Sequence, residues 1–193
     1  MTIPGPSLPS GLKFHRHNHT SARSIRDTVE RIYVESYTDA ISSGDPFDSA
    51  EAFMHRFDAY TKNPRFDLVM AALDGEPVGQ TWGWPLGEQA TTGWWAGLEP
   101  DPGSDFTRED GHRTFALSEI MVARKHAGRH IARALHDELL STRAEERATL
   151  LVEPDNQRAY RAYLHWGWQR VTQLRPAWPN APLFDVLVLS LRH

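Results

Sequence analysis

The stretch FALSEIMVARKHAGRHIARALHDELL, from Phe115 to Leu140, decides the fold, because its two halves have different periodicities. Its first eight residues, FALSEIMV, are rich in apolar side chains and predict a β-strand. A short polar link from Ala123 to Arg129 follows, and Ile131, Leu135 and Leu139 then recur at helical spacing. The sequence therefore predicts a strand that turns directly into a helix.

The turn between this strand and this helix is a candidate anion site. The first amides of a helix have no partner within the helix, and the helix dipole places partial positive charge at the same end. A pyrophosphate group suits such a site. The turn is therefore where we expect a phosphate-bearing cofactor, although any strand–helix unit offers a similar turn, and plain scaffold is the alternative.

The segments after the helix follow in a characteristic order. ATLLVEP, from Ala148 to Pro154, predicts a short apolar strand. DNQRAYRAYLHWGW follows and predicts a helix that Asp155 or Asn156 caps and that ends at Gly167. GWQRVTQL and the apolar run from Phe184 to Leu191 predict two more strands. The order is thus strand, turn, helix, strand, asparagine-led helix, and then glycine followed by an aromatic residue.

In this order, and in two motifs, the chain resembles the GNAT N-acetyltransferases, which have an acyl-CoA-binding core. The A motif of that family usually reads V-x-P-x-x-R-G-x-G-x-G/A, and the chain has Val122, Arg124 in the proline position, and AGRHIA from Ala127 to Ala132. The B motif, N-x-x-A-x-x-x-Y-x-x-x-G-F/W, is matched at Asn156, Ala159, Tyr163, Gly167 and Trp168. The resemblance covers about residues 113 to 191, and the first hundred residues fit the family only in outline.

Two positions of the A motif depart from the family's pattern. Ala127 stands where the family usually has arginine, and His130 stands where it usually has glycine. The imidazole of His130 would either crowd a pyrophosphate or point outward and donate to it. Arg124, Lys125 and Arg129 are the candidates for the missing positive charge.

The resemblance implies a fold and a cofactor. The implied fold is α/β, with a mixed parallel and antiparallel central sheet that splays near its middle and helices on both faces. The implied co-substrate is acetyl-CoA, which would enter the opening of the sheet, and no metal is expected. The residues implied to contact it are Ile120, Met121, Val122, Ala127, Gly128, Arg129, His130, Ile131, Ala132 and Asn156.

Acetyl transfer from a thioester to an amine also needs proton-transfer groups. A phenol is neutral at pH 7 and can give a proton to a departing thiolate, and the resemblance places Tyr163 in that role, with Tyr160 as the competing phenol. Glu119 is a carboxylate inside an otherwise apolar strand, where burial would raise its pKa into a useful range for a general base. Asp185 and Glu153 are lesser candidates. For Tyr163 the alternative is a core aromatic, and for Glu119 it is a solvent-facing strand residue.

Four of the chain's seven tryptophans lie close together in the sequence, at positions 82, 84, 94 and 95. With Phe115, Trp82 and Trp84 are candidates for lining an acceptor pocket, where an aromatic face would attract an apolar or cationic amine. Trp82 and Trp84 alternate on one strand face, so an ordinary hydrophobic core is the alternative. Trp94 and Trp95 indicate that the glycine- and proline-rich segment from Glu88 to His112, which shows no periodicity, folds back onto the protein.

The N-terminal half predicts a strand, two helices and a hairpin. GLKFHRH, ending at His17, is a strand candidate. A helix capped by Ser21 or Ser24 would carry an apolar stripe, and Gly44 to Pro46 would break the helical run. A second helix would begin at Asp48 or Ser49. Asp74-Gly75 predicts the turn of an antiparallel hairpin.

Composition narrows the function classes. The chain has 193 residues, which suits one domain over residues 11–193 after a flexible segment 1–10, and its net charge is −4. That charge does not favour nucleic acid or an anionic membrane as a partner. There is no cysteine, which excludes disulfides and thiolate catalysis. The spacing of His15, His17 and His19 resembles a metal site, but no carboxylate partner lies nearby in the sequence. We expect a soluble cytoplasmic protein, with homodimerisation possible because it is common in the GNAT family.

The sequence thus predicts an acetyl-CoA-dependent N-acetyltransferase in which a primary amine, on a small molecule or a peptide, attacks the thioester directly. Two other hypotheses stay open. One is a non-catalytic acyl-CoA-binding or regulatory module of the same fold, which the altered A motif favours. The other is a different α/β ligand-binding protein that does not use CoA.

Overall fold

A computed structural model describes residues 8–192, so most of the segment 1–10 that was predicted to be flexible lies outside the described residues. Strands and helices alternate along the chain in the order β1 Leu12–Asn18, α1 His19–Ser24, α2 Arg26–Ser36, α3 Thr38–Ser43, α4 Ala50–Tyr60, β2 Asp67–Leu73, β3 Glu76–Pro85, β4 Leu98–Glu99, α5 Ser104–Thr107, β5 Thr114–Val122, α6 Ile131–Leu140, β6 Arg147–Val152, α7 Gln157–His165, β7 Gln169–Leu174 and β8 Phe184–Ser190.

The chain divides into two compact units. The first unit contains the residues up to 83 together with 119–142, and the second contains 84–118 together with the residues from 143 onward. In the first unit the strand order is β1-β2-β3-β5, and in the second it is β5-β6-β8-β7-β4, so that β5 gives its second half to the former and its first half to the latter. The prediction that residues 11–193 form one domain stays a prediction.

The sheet is mixed, as the sequence predicted. β1–β2, β2–β3, β6–β8, β7–β8 and β4–β7 pair antiparallel, whereas β5 and β6 pair parallel. The parallel ladder covers three residue pairs, from Thr114–Arg147 to Ala116–Thr149. It stops there although β5 runs on to Val122 and β6 to Val152. The predicted α/β class with a central mixed sheet is confirmed.

Helices cover both faces of the sheet in the first unit. On one face, Trp82 of β3 packs against Phe53 and Phe57 of α4, with ring centroids 5.7 and 5.4 Å away. On the other face, the position of Gly79 in β3 lies against Leu135 of α6. Residues 68–72 of β2 are buried without interruption, which is typical of a strand covered on both sides.

The predicted caps of the first helix are wrong. Asn18, the last residue of β1, caps α1 by accepting hydrogen bonds from the amides of Thr20 and Ser21, both at 3.0 Å. Ser21 is already inside that helix, and α2 begins after Ile25 without a side-chain cap. Asparagine is as good a cap as serine, but its place at the end of a strand concealed it. For α4 the predicted cap Ser49 is confirmed by the 3.1 Å bond from Ala52 N to its Oγ.

Alanine at position 79 should damage β5, which lies beside β3. A Cβ at Gly79 would lie 2.9 Å from the carbonyl oxygen of Met121 and 3.1 Å from side-chain atoms of Val122 and Leu135. Since backbone cannot yield as a side-chain tip does, Gly79→Ala should lower the free energy of unfolding by about 1–3 kcal/mol, measured by urea denaturation. The control is Gly87→Ala, where φ is −91° and a Cβ would meet no atom within 4 Å. Equal stabilities of the two variants would contradict this account.

The second unit has its own core, which includes part of the segment between β3 and β5. Leu86, Ala90 and Trp95 are buried there with residues of three strands, Ala116, Leu174 and Val186. The prediction that this tryptophan-bearing segment folds back onto the protein is confirmed. Its two ends are joined, because Leu86 N donates to Thr114 O at 2.8 Å and Gly111 N donates to Leu86 O at 2.9 Å.

Candidate active site

Glu119 lies on β5 in the first unit, at a point where this interior strand is partly open to solvent. Ser118, Glu119 and Ile120 are each half-buried, and they lie beyond Ala116, where the ladder between β5 and β6 ends. Because successive side chains of a strand point to opposite faces, exposure at three successive residues indicates an unpaired backbone edge of β5. The side chain of Glu119 lies on the face covered by α2 and α4, as the following register shows, and its carboxyl is removed from water.

The register between β3 and β5 places Glu119 opposite Trp82. Ala123 N donates to Val78 O, and Gln80 Nε2 donates to the sulfur of Met121. Stepping two residues along each strand in opposite directions brings Trp82 across from Glu119 on the same face. Gln80 Nε2 also donates to Val29 O of α2, which identifies this face as the one below α2 and α4.

The electrostatic setting of Glu119 suits a general base. Removal from water raises the pKa of its carboxyl to about 7, with the positive charge of Arg56 acting against the rise and the negative charge of Asp48 adding to it. A carboxyl with a pKa near the working pH combines a large ionised fraction with real basicity. The predicted pKa elevation of Glu119 is thus present, and its cause is mainly desolvation.

The predicted phosphate turn is exposed and is built for close backbone approach. Residues 127–130 are all exposed, and Gly128 has φ +79°, where an added Cβ would meet no atom within 4 Å. His130 precedes α6 with φ +60°, a left-handed conformation that glycine adopts most easily. This explains in physical terms why glycine is usual at that position of the motif. No side chain caps α6, so its first amides are left for an external acceptor.

Some of the charged side chains around this turn make contacts within the protein. Arg124 forms an ion pair with Asp39 at 2.8 Å, with both side chains largely exposed. Arg129 Nη1 lies 3.3 Å from His126 Nδ1. Burial lowers the pKa of His126, and the charges of Lys125 and Arg129 lower it further. The turn therefore carries net positive charge, which fits a pyrophosphate without the arginine that Ala127 replaces.

Asn156 and Tyr163 lie on α7 in the second unit. The Asn156 side chain accepts a hydrogen bond from Ala159 N at 3.3 Å, which confirms the capping interpretation and leaves its amide NH₂ group as a further donor. Tyr163 is buried and meets Trp166 and Trp168 edge to face, with centroids 5.6 and 6.2 Å away. Its proposed role as an acid stays a prediction.

Tyr160 and Asp185, the competing acid and base, are engaged with each other. Tyr160 donates to Asp185 at 2.8 Å, and Gln173 and Arg170 donate to the other carboxylate oxygen at 2.8 and 2.9 Å. Burial alone would raise the pKa of Asp185, but these three donors together lower it below its usual value. The pKa of Tyr160 is raised by burial and by its bond to Asp185. Both changes make this pair poorly suited to proton transfer near neutral pH.

The surroundings of Trp82 and Phe115 favour a role in the hydrophobic core over a role in lining an acceptor pocket. Trp82 and Phe115 are both fully buried. Trp82 is surrounded by phenylalanines, and the Arg143 guanidinium lies 4.7 Å from the centroid of the Phe115 ring. Trp84 is half-buried and meets Trp94 edge to face at 5.9 Å. Of the three predicted pocket residues, Trp84 is the one with accessible surface.

Arg56 and Asp48 belong to the surroundings of Glu119 and were not predicted. Arg56 lies on α4 between Phe53 and Phe57 and is only 6% exposed. A charged residue inside an apolar helical stripe was the available signal, because positions three and four apart share a helix face. Asp48 lies in the short 3₁₀ turn Pro46–Asp48 before α4, and burial raises the pKa of its carboxyl.

Neither a metal centre nor a membrane span is found in the part of the chain that the structure describes. No group of three or more histidine, aspartate or glutamate side chains among residues 8–192 is arranged to hold a metal ion. Within the same residues, every helix is too short or too polar to cross a membrane.

Comparisons with known proteins agree on the family. The model of the acetyltransferase (GNAT) family matches residues 26–168. A GNAT-family acetyltransferase from Streptococcus agalactiae has a TM-score of 0.69 at 12% identity, covering 97% of this chain and 100% of that one. The ribosomal-protein-S18-alanine N-acetyltransferase from Escherichia coli has a TM-score of 0.61 at 13% identity, covering 94% and 95%.

A third similar structure contains a ligand. The PaiA N-acetyltransferase from Thermoplasma acidophilum, solved in complex with coenzyme A, has a TM-score of 0.54 at 9% identity and covers 93% of this chain and 98% of that one. At these identities the structural likeness shows the fold alone. None of the curated proteins matches the chain by sequence.

Proposed function

The chain belongs to the GNAT acetyltransferase family, and on that premise we propose that it transfers the acetyl group of acetyl-CoA to a primary amine by direct attack. The observation that carries the proposal is Glu119, a half-buried carboxyl on β5 with a pKa of about 7. A purely structural carboxylate would gain from a salt bridge or from solvent, whereas desolvation keeps this one basic.

The residues proposed to hold acetyl-CoA follow β5 into the turn and α6. Backbone groups of Ile120, Met121 and Val122 would pair with the pantetheine arm, since the β5–β6 ladder ends at Ala116. The amides at the start of α6 and the exposed turn from Ala127 to His130 would take the pyrophosphate. Asn156 would hydrogen-bond a pantetheine amide with the NH₂ group that its cap leaves over.

The chain's side chains divide the proton transfers between them. Acetyl-CoA supplies an activated thioester carbonyl. Glu119 would accept a proton from the acceptor's ammonium group, directly or through a water, so that the amine nitrogen can form the new N–C bond. Tyr163 would give its phenolic proton to the sulfur as the C–S bond breaks. Oriented N–H groups of β5 would stabilise the charge that develops on the carbonyl oxygen.

Calorimetric titration with acetyl-CoA is the first test. We expect micromolar binding to the purified protein, no comparable binding of free adenine nucleotide, and release of CoA when an accepted amine is added. Binding without CoA release from any amine would favour a non-catalytic acyl-CoA-binding module. No binding at millimolar acetyl-CoA would contradict the proposal, and would mean that Ala127 and His130 have disabled the phosphate turn.

Tyr163→Phe tests the proposed acid. Phenylalanine keeps the ring packing against Trp166 and Trp168 but removes the transferable proton, so kcat should fall about 10²-fold or more while the Kd of acetyl-CoA stays unchanged. Steady-state kinetics and calorimetry measure the two quantities.

The control for Tyr163→Phe is Tyr160→Phe on the same helix. It removes one hydrogen bond to Asp185 and should change stability more than kcat. A large loss of kcat in Tyr160→Phe, with Tyr163→Phe close to the unmodified protein, would exchange the two assignments.

A further inference from the structure

Arg56 is a buried cation whose own protein contacts do not neutralise it. Arg56 is 6% exposed. Its guanidinium carbon lies 4.0 Å from the centroid of the Phe47 ring, and Nη1 donates to Phe47 O at 2.9 Å. None of the ion pairs found among residues 8–192 involves it, and the charges of Asp48 and Glu119 act on it without a direct contact. A guanidinium has five N–H donors on three nitrogens, and the hydrogen bond to Phe47 O uses one of these nitrogens.

Such a group is costly unless something pairs with it. Burying a charge is unfavourable unless it is both paired and hydrogen-bonded. The Phe47 ring face and one carbonyl supply part of the compensation. The remaining N–H groups form a planar fork that matches a carboxylate, which they can bind through two parallel hydrogen bonds. An anionic group on a ligand would complete the arrangement.

Arg56 and the proposed base belong to one electrostatic neighbourhood. The charge of Arg56 lowers the pKa of both Glu119 and Asp48, and the charge of Asp48 raises the pKa of Glu119. All three lie in the first unit, Arg56 on α4, Asp48 in the turn before α4, and Glu119 on the sheet face that these helices cover. Because desolvation raises the pKa of Glu119, its carboxyl is a weaker counter-charge to Arg56 than an ordinary carboxylate would be. The site therefore offers one cationic group and, near it, one proton acceptor.

From this arrangement, and resting on the proposed function, we infer that the acceptor is a zwitterionic amine of the amino-acid class, with its carboxylate on Arg56 and its amino group at Glu119. An ammonium that donates its proton to Glu119 would be held by the negative charges of Glu119 and Asp48. A carboxylate on the same molecule would meet the fork of Arg56. A diamine or polyamine would place a second positive charge against the guanidinium, which is unfavourable.

The inference can be tested by matched substrates before any mutation is made. Each of the twenty amino acids is compared with its α-amide and with the amine that lacks the carboxyl group, by following CoA release. For the accepted side chain, we expect the free acid to have a kcat/KM about 10- to 100-fold above that of the amide, as loss of a hydrogen bond to a charged group predicts. Equal rates for acid, amide and decarboxylated amine would overturn the inference.

Arg56→Gln then assigns the preference to this residue. The variant should raise KM for the free acid by the same factor and change kcat less, so that the preference for acid over amide disappears. Because Arg56 also lowers the pKa of Glu119, acid and amide are compared within the same variant at the same pH. Arg56→Lys, which keeps the charge but not the fork, should be intermediate. Arg65→Gln is the control, since Arg65 follows α4, is exposed and lies outside the site. An equal loss for acid and amide in a folded Arg56→Gln would overturn the inference.

A binding measurement separates this inference from the proposed function. The free amino acid that is accepted should raise the thermal unfolding midpoint of the protein without acetyl-CoA, and its amide should not. CoA release from amides and simple amines at full rate would leave the proposed function standing and overturn only the choice of acceptor. If Arg56→Gln does not fold, the comparison of acid with amide on the unmodified protein decides alone.

Discussion

Replacing Glu119 by glutamine should lower kcat/KM for acetyl transfer by about 10²- to 10⁴-fold, the range that a positioned general base contributes. Glutamine has nearly the same shape and can keep the contacts of the half-buried side chain, but it cannot accept the proton of the acceptor. The Kd of acetyl-CoA should change little, because the proposed pantetheine contacts of β5 are made by backbone groups.

The pH dependence gives this prediction a second readout. With a pKa of about 7, Glu119 is protonated and inactive in acid and becomes a base as the pH rises. The kcat/KM of the unmodified protein should therefore rise through an ionisation near pH 7, in addition to the later ionisation of the amine itself. In Glu119→Gln the lower ionisation should be missing and only that of the amine should remain.

Thermal unfolding shows whether the variant is folded, and the raised pKa of Glu119 predicts the direction in which its stability changes. The pKa of Glu119 is higher in the folded than in the unfolded chain, so its ionisation makes folding less favourable as the pH rises from about 4.5 through 7. Glutamine does not ionise, so at pH 8 the variant should melt at or above the temperature of the unmodified protein. Unchanged activity in such a folded variant would remove Glu119 from the mechanism, whereas a cooperative melt with the activity lost would support it.

Glu109→Ala should have the largest effect on stability, lowering the free energy of unfolding by about 3–5 kcal/mol, the usual cost of breaking a buried ion pair. The carboxylate of Glu109 is fully buried in the second unit. Its Oε1 accepts from Trp95 Nε1 at 3.1 Å, from Thr114 Oγ1 at 2.7 Å and from Arg147 Nη2 at 3.2 Å. Without it, the largely buried Arg147 loses its counter-ion and Trp95 loses its acceptor.

Denaturant unfolding and the thermal midpoint measure this loss, and roughly 2–4 °C per kcal/mol is expected for a chain of this size. Glu88→Ala is the matched control, because Glu88 belongs to the same segment but is exposed, and surface substitutions usually stay within about 0.5 kcal/mol. A Glu109→Ala protein that unfolds within about 1 kcal/mol of the unmodified chain would mean that Arg147 finds compensation elsewhere, for example in its 2.6 Å bond to Phe106 O.

Much of the fold was predictable because periodicity and turn residues report local structure. The strand and helix on either side of the turn at Gly128 were predicted to within one residue, since apolar spacing changes there from strand to helical period. The Asp74-Gly75 hairpin and the α7 cap at Asn156 follow from residues with strong local preferences. Asn18 was missed because it ends a strand before it caps a helix, and a single-residue pattern does not show both roles.

The candidate site was predictable only where its residues lie on one continuous stretch. Glu119 was identifiable because a carboxylate interrupts an apolar strand. Arg56 could be noticed as a charge inside an apolar helical stripe, but its relation to Glu119 could not be predicted, because it depends on how α4 packs over the sheet. The role of Trp82 was not predictable for the same reason. Alternation along β3 shows on which face of the strand Trp82 lies, but not whether that face lines a pocket or packs against phenylalanines.

The segment between β3 and β5 begins and ends at one place in the second unit, where Leu86 is hydrogen-bonded both to Thr114 and to Gly111. The length of the intervening chain is thus uncoupled from the spacing of the strands that it connects. Because loop-closure entropy grows slowly with length, residues can be inserted in the exposed parts of the segment, away from Trp95 and Glu109, while the strand register is kept. During evolution, the exposed surface of this segment could therefore vary while the strand pairing of the sheet stays the same.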